Sequence, residues 1–302
     1  MGAAATDGGI RMARRTGLPA VEVLDACEST NDEALRRARA GAPHGAAVAA
    51  VRQTLGRGRR GHVWVSPPGG LYLSVVLRPG VARECLRAIP VAAGLGALDA
   101  CRALGATTPR LKWPNDLVVP GPDGACKLGG ILVELCLGSR AAVDAGDAAY
   151  GVAGVGDAAV CGIGVNLTRP RNNGIRPQAV RDGMPAPLPA AYLDECGAPG
   201  AAGDYAAVAT LFRDAIVRRV DAWAAGLAGG CATAPLAPVL EEYRFSLHGL
   251  GSTFAAVTPE GAVVGRGTFF LVDGTGRAVL ALQGGGTLSL APEQASLRPA
   301  GR

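Results

Sequence analysis

A chain of 302 residues, 49% of them hydrophobic, is long enough to bury a sizeable core as one large domain with a smaller one. Lys and Arg number 30 against 25 Asp and Glu, and the net charge of +5 suits an acidic partner without requiring nucleic acid. The 45 glycines follow no G-x-y period, which excludes a fibre, and eight cysteines without a CxxC beside three histidines argue against a zinc centre and for a reducing compartment.

Residues 1–19 carry Arg11, Arg14 and Arg15 but no secretory apolar core, and are expected to form a flexible tail, with an organellar signal as the alternative. No stretch is apolar for long enough to span a bilayer. V-E-V-L-D (21–25) is a strand candidate. E-S-T-N-D-E-A-L-R-R-A-R-A-G then predicts a helix over 31–40, with Thr30 and Glu33 as a capping box and Gly41 as its stop. A-A-V-A-A-V predicts a buried strand leading into an Arg-Gly loop, and L-Y-L-S-V-V-L (71–77) the strand leaving it. An Ala/Leu segment from about 90 to 105 predicts a core helix starting near Pro90.

L-K-W-P-N-D-L-V-V (111–119) and C-K-L-G-G-I-L-V-E-L flank a Pro-Gly-Pro-Asp-Gly turn and predict a hairpin. A-V-C-G-I-G-V-N-L (159–167) predicts another buried strand. Residues 138–157 are expected to be an exposed insertion, and 168–200 a loop with one helical turn. Residues 205–223 carry a helical apolar stripe. Beyond Pro238, short β-like pieces separated by turns at 258–261, 273–274 and 284–286 predict a small antiparallel sheet or barrel. The expected division is 20–235 for the main α+β domain and 238–302 for the small β domain.

The loop G-R-G-R-R-G (56–61) sets Arg57, Arg59 and Arg60 among glycines, so like charges repel and backbone entropy is lost on ordering. An anion held by a close-fitting loop offsets both costs. A solvated basic turn and a nucleic-acid phosphate patch remain alternatives. Two features favour a small ligand: the loop is anchored between apolar strands, and it continues into Trp64 and Tyr72 instead of more basic residues. It is not a Walker loop.

Lys112 and Lys127 stand out in an Arg-dominated chain, each suited to sit on a carboxylate or a phosphoryl group, with a solvated turn lysine as the bland alternative. Gly129 and Gly130 give close backbone access beside Lys127; Asn115 and Asp116 end the facing segment, where Asp116 orients a lysine, holds a cation or caps a turn. Trp113 reads as core. Cys126 lacks a histidine base, and no Ser/His/Asp set assembles around Ser29 or Thr30; capping accounts for Thr30, and Ser29 suits a polar ligand group.

Taken in order, E-S-T-N (28–31), Q-T-L-G-R-G-R-R-G (53–61), W-V-S-P-P-G-G-L-Y-L-S (64–74), L-K-W-P-N-D (111–116), K-L-G-G-I-L-V-E (127–134) and G-I-G-V-N-L (162–167) give a chain that resembles the biotin–protein ligases. The resemblance implies a mixed sheet backed by helices, like the core of class II aminoacyl-tRNA synthetases, followed by an SH3-like C-terminal domain. It implies formation of biotinyl-5′-AMP from biotin and ATP with Mg²⁺, then biotin transfer to a lysine of a carboxyl carrier domain of a biotin-dependent carboxylase.

Carried onto this sequence, Ser29, Thr30, Asn31 and Gln53 are implied on the biotin side. Gly56, Arg57, Arg59, Arg60, Trp64 and Tyr72 are implied there too, as are Lys127, Gly129 and Gly130. Arg59, Arg60, Lys112, Asn115, Asp116, Lys127 and Asn166 are implied on the ATP side, with Lys127, Arg57 and Arg59 catalytic. The magnesium is expected to come with ATP, no fixed metal site being implied. His62 stands where some members have a further arginine. Only about twenty residues precede the first strand, too few for the DNA-binding domain of bifunctional members, so a monofunctional enzyme without DNA as partner is expected; the cysteine usage and the lack of an apolar span make it cytoplasmic, with no membrane partner. Lipoate or octanoate ligases and transferases are the related alternative, and a nucleic-acid-binding module is the alternative of another class.

Overall fold

The computed structural model describes residues 17–122, 124–137, 157–170, 188–227 and 233–299. Most of the 1–19 tail, the insertion up to 156 and the stretch 171–187 lie outside the described residues. Among those described, no helix is long and apolar enough to cross a membrane.

Seven strands build one mixed sheet: β1 (Val21–Leu24), β2 (Ala47–Ala50), β3 (Gly70–Leu77), β4 (Arg110–Lys112), β5 (Asp116–Gly121), β6 (Gly124–Cys136) and β7 (Ala158–Asn166). Their order is β1-β2-β3-β7-β6-β5-β4. β1 and β2 run parallel because α1 (Thr30–Arg39) crosses between them; every other neighbour is antiparallel. The segment 111–119 is two strands, not one, because the chain turns at 113–115 between β4 and β5.

Strand side chains alternate between faces. Leu71, Leu73, Val75 and Leu77 of β3 face the main core with α2 (Ile89–Ala103) and α3 (Tyr205–Gly226), whereas Val76, Val48 and Val160 meet Ala34, Leu35 and Ala38 of α1 on the opposite face. α2 and α3 cross closely at Gly96, where a Cβ would lie 2.7 Å from Ile216 Cα. Asp204 caps α3 by accepting from Ala206 N at 2.9 Å. Between 188 and 204 the described loop makes two short 3-10 turns, Asp194–Cys196 and Pro199–Ala202.

Two local expectations are corrected. The capping box at α1 does not form: Ser29 is the N-cap, its side chain makes no capping bond, and Thr30 is the first helical residue. Thr30 Oγ1 instead bonds Gln53, a partner 23 residues away that local pattern cannot supply, while Glu33 pairs with Arg36. Beyond Pro238 the first element is helical, α4 (Leu240–Ser246), not β. Leu240, Tyr243 and Leu247 recur at helical spacing, and Tyr243 is buried.

The second sheet follows, antiparallel throughout: β8 (Thr253–Val257), β9 (Val263–Val272), β10 (Ala278–Leu282), β11 (Thr287–Leu290) and β12 (Ser296–Pro299), in the order β11-β10-β9-β8-β12. It is joined to the main sheet at the β4 edge. His248 N donates to Leu111 O at 2.7 Å, and the buried Trp113 donates through Nε1 to Gly276 O at 2.9 Å. Trp113 is therefore core, as expected from sequence.

Candidate active site

The α1 face of the sheet loses its side chains beyond the start of α1. Gly162 and Gly164 of β7 and Gly130 of β6 lie there, with Gly130 and Gly164 register partners. A Cβ on Gly164 would sit 2.6 Å from the indole of Trp64, and one on Gly162 would meet Asn31 Oδ1 at 2.1 Å. The glycines thus form a backbone floor, on which Trp64 lies. Trp64 Nε1 is buried without a hydrogen-bond partner among the described residues, and an unmatched buried donor costs about 1–3 kcal/mol.

One wall is a polar chain from α1 to the loop. Gln53 Oε1 accepts from Thr30 N at 2.8 Å and from Thr30 Oγ1 at 3.1 Å, and Gln53 Nε2 donates to Ser66 Oγ at 2.9 Å. Ser74, fully buried on β3, donates through Oγ to Asn31 Oδ1 at 2.6 Å and lies 2.8 Å from Thr30 Oγ1. Asn31 Nδ2 donates to Glu134 Oε2 at 2.7 Å. Gly56 is required at its place because a Cβ would fall 2.5 Å from Ser66 Oγ. Ser29 is 2% exposed at the end of this wall.

The opposite wall is cationic. Lys127 Nζ lies 2.7 Å from Asp116 Oδ1 and 5.2 Å from the Trp64 ring centroid. Its backbone is clamped by the segment before α3: Lys127 N donates to Pro189 O at 2.6 Å, and Ala191 N donates to Lys127 O at 2.8 Å. Burial by itself would raise the Asp116 carboxyl, but Lys127 and Lys112 outweigh it and hold that carboxyl below the ordinary carboxylate range. Lys112 is 7% exposed. Burial, opposed only by Asp116, lowers its pKa. The bland reading of Lys112 as a solvated turn lysine is overturned, because β4 carries its stem into the sheet.

The Arg-Gly loop closes over this trough. Arg57 donates to Asp32 Oδ1 at 2.5 Å and to Glu134 Oε2 at 3.0 Å. Arg59 donates to Asn115 Oδ1 at 3.1 Å and to Pro292 O at 2.7 Å, and Arg60 to Pro292 O at 2.9 Å. Burial first, then Arg60, pulls the Arg59 guanidinium below its ordinary value.

Most residues singled out in the sequence converge here; three serve as braces in this structure. Tyr72 is 3% exposed and donates its hydroxyl to Pro67 O at 2.6 Å, where it holds the loop's exit. Asn166 Nδ2 donates to Ala191 O at 3.1 Å and Lys127 O at 3.3 Å. Asn115 Nδ2 donates to Ile131 O at 2.7 Å. Gly129 packs against β7, where a Cβ would meet Gly164 O at 2.5 Å.

Sequence reasoning missed Ser66, Ser74, Glu134 and the Pro292 carbonyl. Ser66, Ser74 and Glu134 lay inside motifs already noted, whereas the Pro292 carbonyl carried no signal, since one backbone oxygen looks like any other. Among the described residues no group of three or more His, Cys, Asp or Glu side chains is placed to hold a metal ion.

The model of the biotin/lipoate A/B protein ligase family matches residues 23–143. The domain is 39% identical over 137 residues to the bifunctional ligase/repressor BirA of Escherichia coli, covering 45% of this chain and 39% of that protein. It is 39% identical over 114 residues to the biotin–[acetyl-CoA-carboxylase] ligase of Paracoccus denitrificans, covering 37% and 45% respectively. The chain thus spans less than half the length of these relatives. In fold, it is similar to a biotin protein ligase from Aquifex aeolicus solved with biotin and ATP, with TM-score 0.66 and 22% identity over 94% of this chain and all of that one. The likeness in fold therefore extends through the second sheet, well beyond residue 143.

Proposed function

We propose that this chain is an ATP-dependent biotin–protein ligase. The observation that carries the reading is the trough itself: a glycine floor bounded by the Thr30–Gln53–Ser66 polar chain on one side and Lys127 on the other. A ligand with a neutral polar ring at one end and a carboxylate at the other matches it. The biotin ureido group pairs with the amide and hydroxyls of the first wall, and its carboxylate reaches the Lys127 ammonium.

The carboxylate oxygen attacks the α-phosphorus of ATP, an O–P bond forms, and pyrophosphate leaves with the electrons of the broken P–O bond. Two anions must meet in this step, so fixed cations dominate its barrier. Lys127 spans carboxylate and phosphoryl oxygens, with Asp116 orienting it. Lys112 sits behind the phosphates, Arg57, Arg59 and Arg60 fold over the anions, and Asn115 and Asn166 contact the nucleotide. Mg²⁺ enters with the triphosphate as part of the substrate. Trp64 and the loop exclude water from the mixed anhydride. The amine of an acceptor lysine then attacks the acyl carbon, an amide forms and AMP departs. A carboxyl carrier domain of a biotin-dependent carboxylase is the acceptor we assign.

The seven described cysteines, all free, are in keeping with a cytoplasmic setting. A nucleic-acid-binding role for the loop is disfavoured by its pairing: Arg57 is engaged by Asp32 and Glu134, and Arg59 is mostly buried. A lipoate or octanoate substrate leaves the Gln53 wall unused.

The test is pyrophosphate release by the purified chain with ATP, Mg²⁺ and, separately, biotin, lipoate and octanoate. Biotin-dependent release is expected. Release with lipoate or octanoate alone would move the chain to the other branch of its family, and tight salt-dependent RNA or DNA binding without any release would sink the ligase reading.

A further inference from the structure

Two arginines of the loop end on one backbone oxygen. Arg59 and Arg60 each donate to Pro292 O, at 2.7 and 2.9 Å, from the turn between β11 and β12. A carbonyl is a neutral dipole, while two guanidiniums converging on it repel each other. An anionic oxygen in the same place binds both more strongly, since charge-assisted bonds are roughly twice as strong as neutral ones. Arg60 also adopts a left-handed backbone, φ 57° and ψ 35°, which is unfavourable for a residue with a Cβ. The arrangement has the form of an anion-binding pair resting on a substitute.

We propose that the Pro292 carbonyl is a resting latch, which competes with ligand phosphates for Arg59 and Arg60. The inference rests on the reading of this loop as phosphate-binding. In the latched form the small sheet holds the loop across the trough, with Asn115 as a second anchor for Arg59. A polyphosphate draws both guanidiniums off the carbonyl, so the latched population weakens its apparent affinity. Proline at 292 removes a backbone donor from the turn. The turn is closed by Gln294, whose N donates to Ala291 O at 3.0 Å and whose Oε1 accepts from Ala291 N at 2.8 Å. Arg277 also donates to Gln294 Oε1, at 3.3 Å. Among the described residues the hydrogen bonds of Gln294 go to Ala291 and Arg277, outside the trough, so Gln294→Ala loosens the latch from behind.

The full chain and its Gln294→Ala variant are compared by calorimetric titration with inorganic pyrophosphate and by the rate of cleavage with an arginine-specific protease within residues 57–60. The loosened variant is expected to bind pyrophosphate several-fold more tightly and, without ligand, to be cut in the loop several-fold faster. Should circular dichroism find Gln294→Ala unfolded, Pro292→Gly serves the same purpose and is expected to act in the same direction. Equal affinity and equal cleavage overturn the latch. Weaker binding also overturns it, because the carbonyl would then be preorganising the arginines. Absence of pyrophosphate and ATP binding in both proteins would instead remove the phosphate-loop reading on which the latch stands.

Discussion

Lys127 and Asp116 meet across neighbouring strands, ammonium to carboxylate at 2.7 Å, at the end of the glycine-floored trough. The bulge between Leu117 and Val118 shifts the β5–β6 register just there, so that Asp116 faces Gly130, where the absent side chain leaves room for the lysine. The pair ties the sheet geometry to the proposed chemistry.

Lys127→Ala should lower the adenylation rate on the order of 10²-fold or more, as for the loss of one strong electrostatic contact to the charge that develops in the transition state. Rapid-quench formation of biotinyl-5′-AMP reads it, and a wild-type rate would make Lys127 a structural residue. Stability should fall by only about 1 kcal/mol, because the pair is partly solvated. Adding Asp116→Asn should restore that stability without restoring the rate.

Acid should destabilise this chain partly through Asp116. Its folded-state pKa is depressed, so its contribution is fully present above the unfolded value, near 3.9, and is lost as pH falls through the folded one. Asp116→Asn should therefore flatten the fall of Tm with acid below about pH 4. A wild-type slope across that window would mean that Lys127 and Lys112 do not favour the charged carboxylate in the folded state.

Gln53→Ala removes one amide from a buried chain, leaving Thr30 N without its acceptor and Ser66 Oγ without its donor. Biotin affinity is expected to drop roughly tenfold, on the scale of one to two hydrogen bonds. ATP affinity in the absence of biotin should not move. Calorimetry on both ligands checks it, and an equal loss of both would indicate collapse of the loop rather than loss of a ring contact.

Gly164→Ala places a methyl group 2.6 Å from the Trp64 indole and should expel that ring from the floor. Trp113 and Trp223 are both buried elsewhere, at 2% and 0% exposure, so a red shift of tryptophan emission reports Trp64 alone. Faster hydrolysis of the adenylate should accompany it. Unshifted emission would show that Trp64 spends little time on the floor.

Periodicity and punctuation made most elements legible. β3 alternates apolar residues over a buried face, Pro90 opens α2, and Gly41 ends α1 with φ +87° because a residue without Cβ accepts that turn. The motif series also located the floor glycines, the loop arginines and Lys127, since each is local in sequence and rich in unusual residues.

What tertiary structure decided was the pairing of groups far apart in the chain. Thr30 reads as a cap until Gln53, 23 residues on, takes its hydroxyl and its N–H. Lys112 reads as a turn lysine until β4 enters the sheet beside Asp116 and desolvates it. Arg59 and Arg60 read as free loop cations until the small sheet brings Pro292 O to them, across more than 230 residues. Local pattern encodes backbone propensity and which face is apolar; it holds no record of which distant polar group will share a buried volume. That is set only when chain closure and packing leave each buried donor and acceptor with one nearby partner.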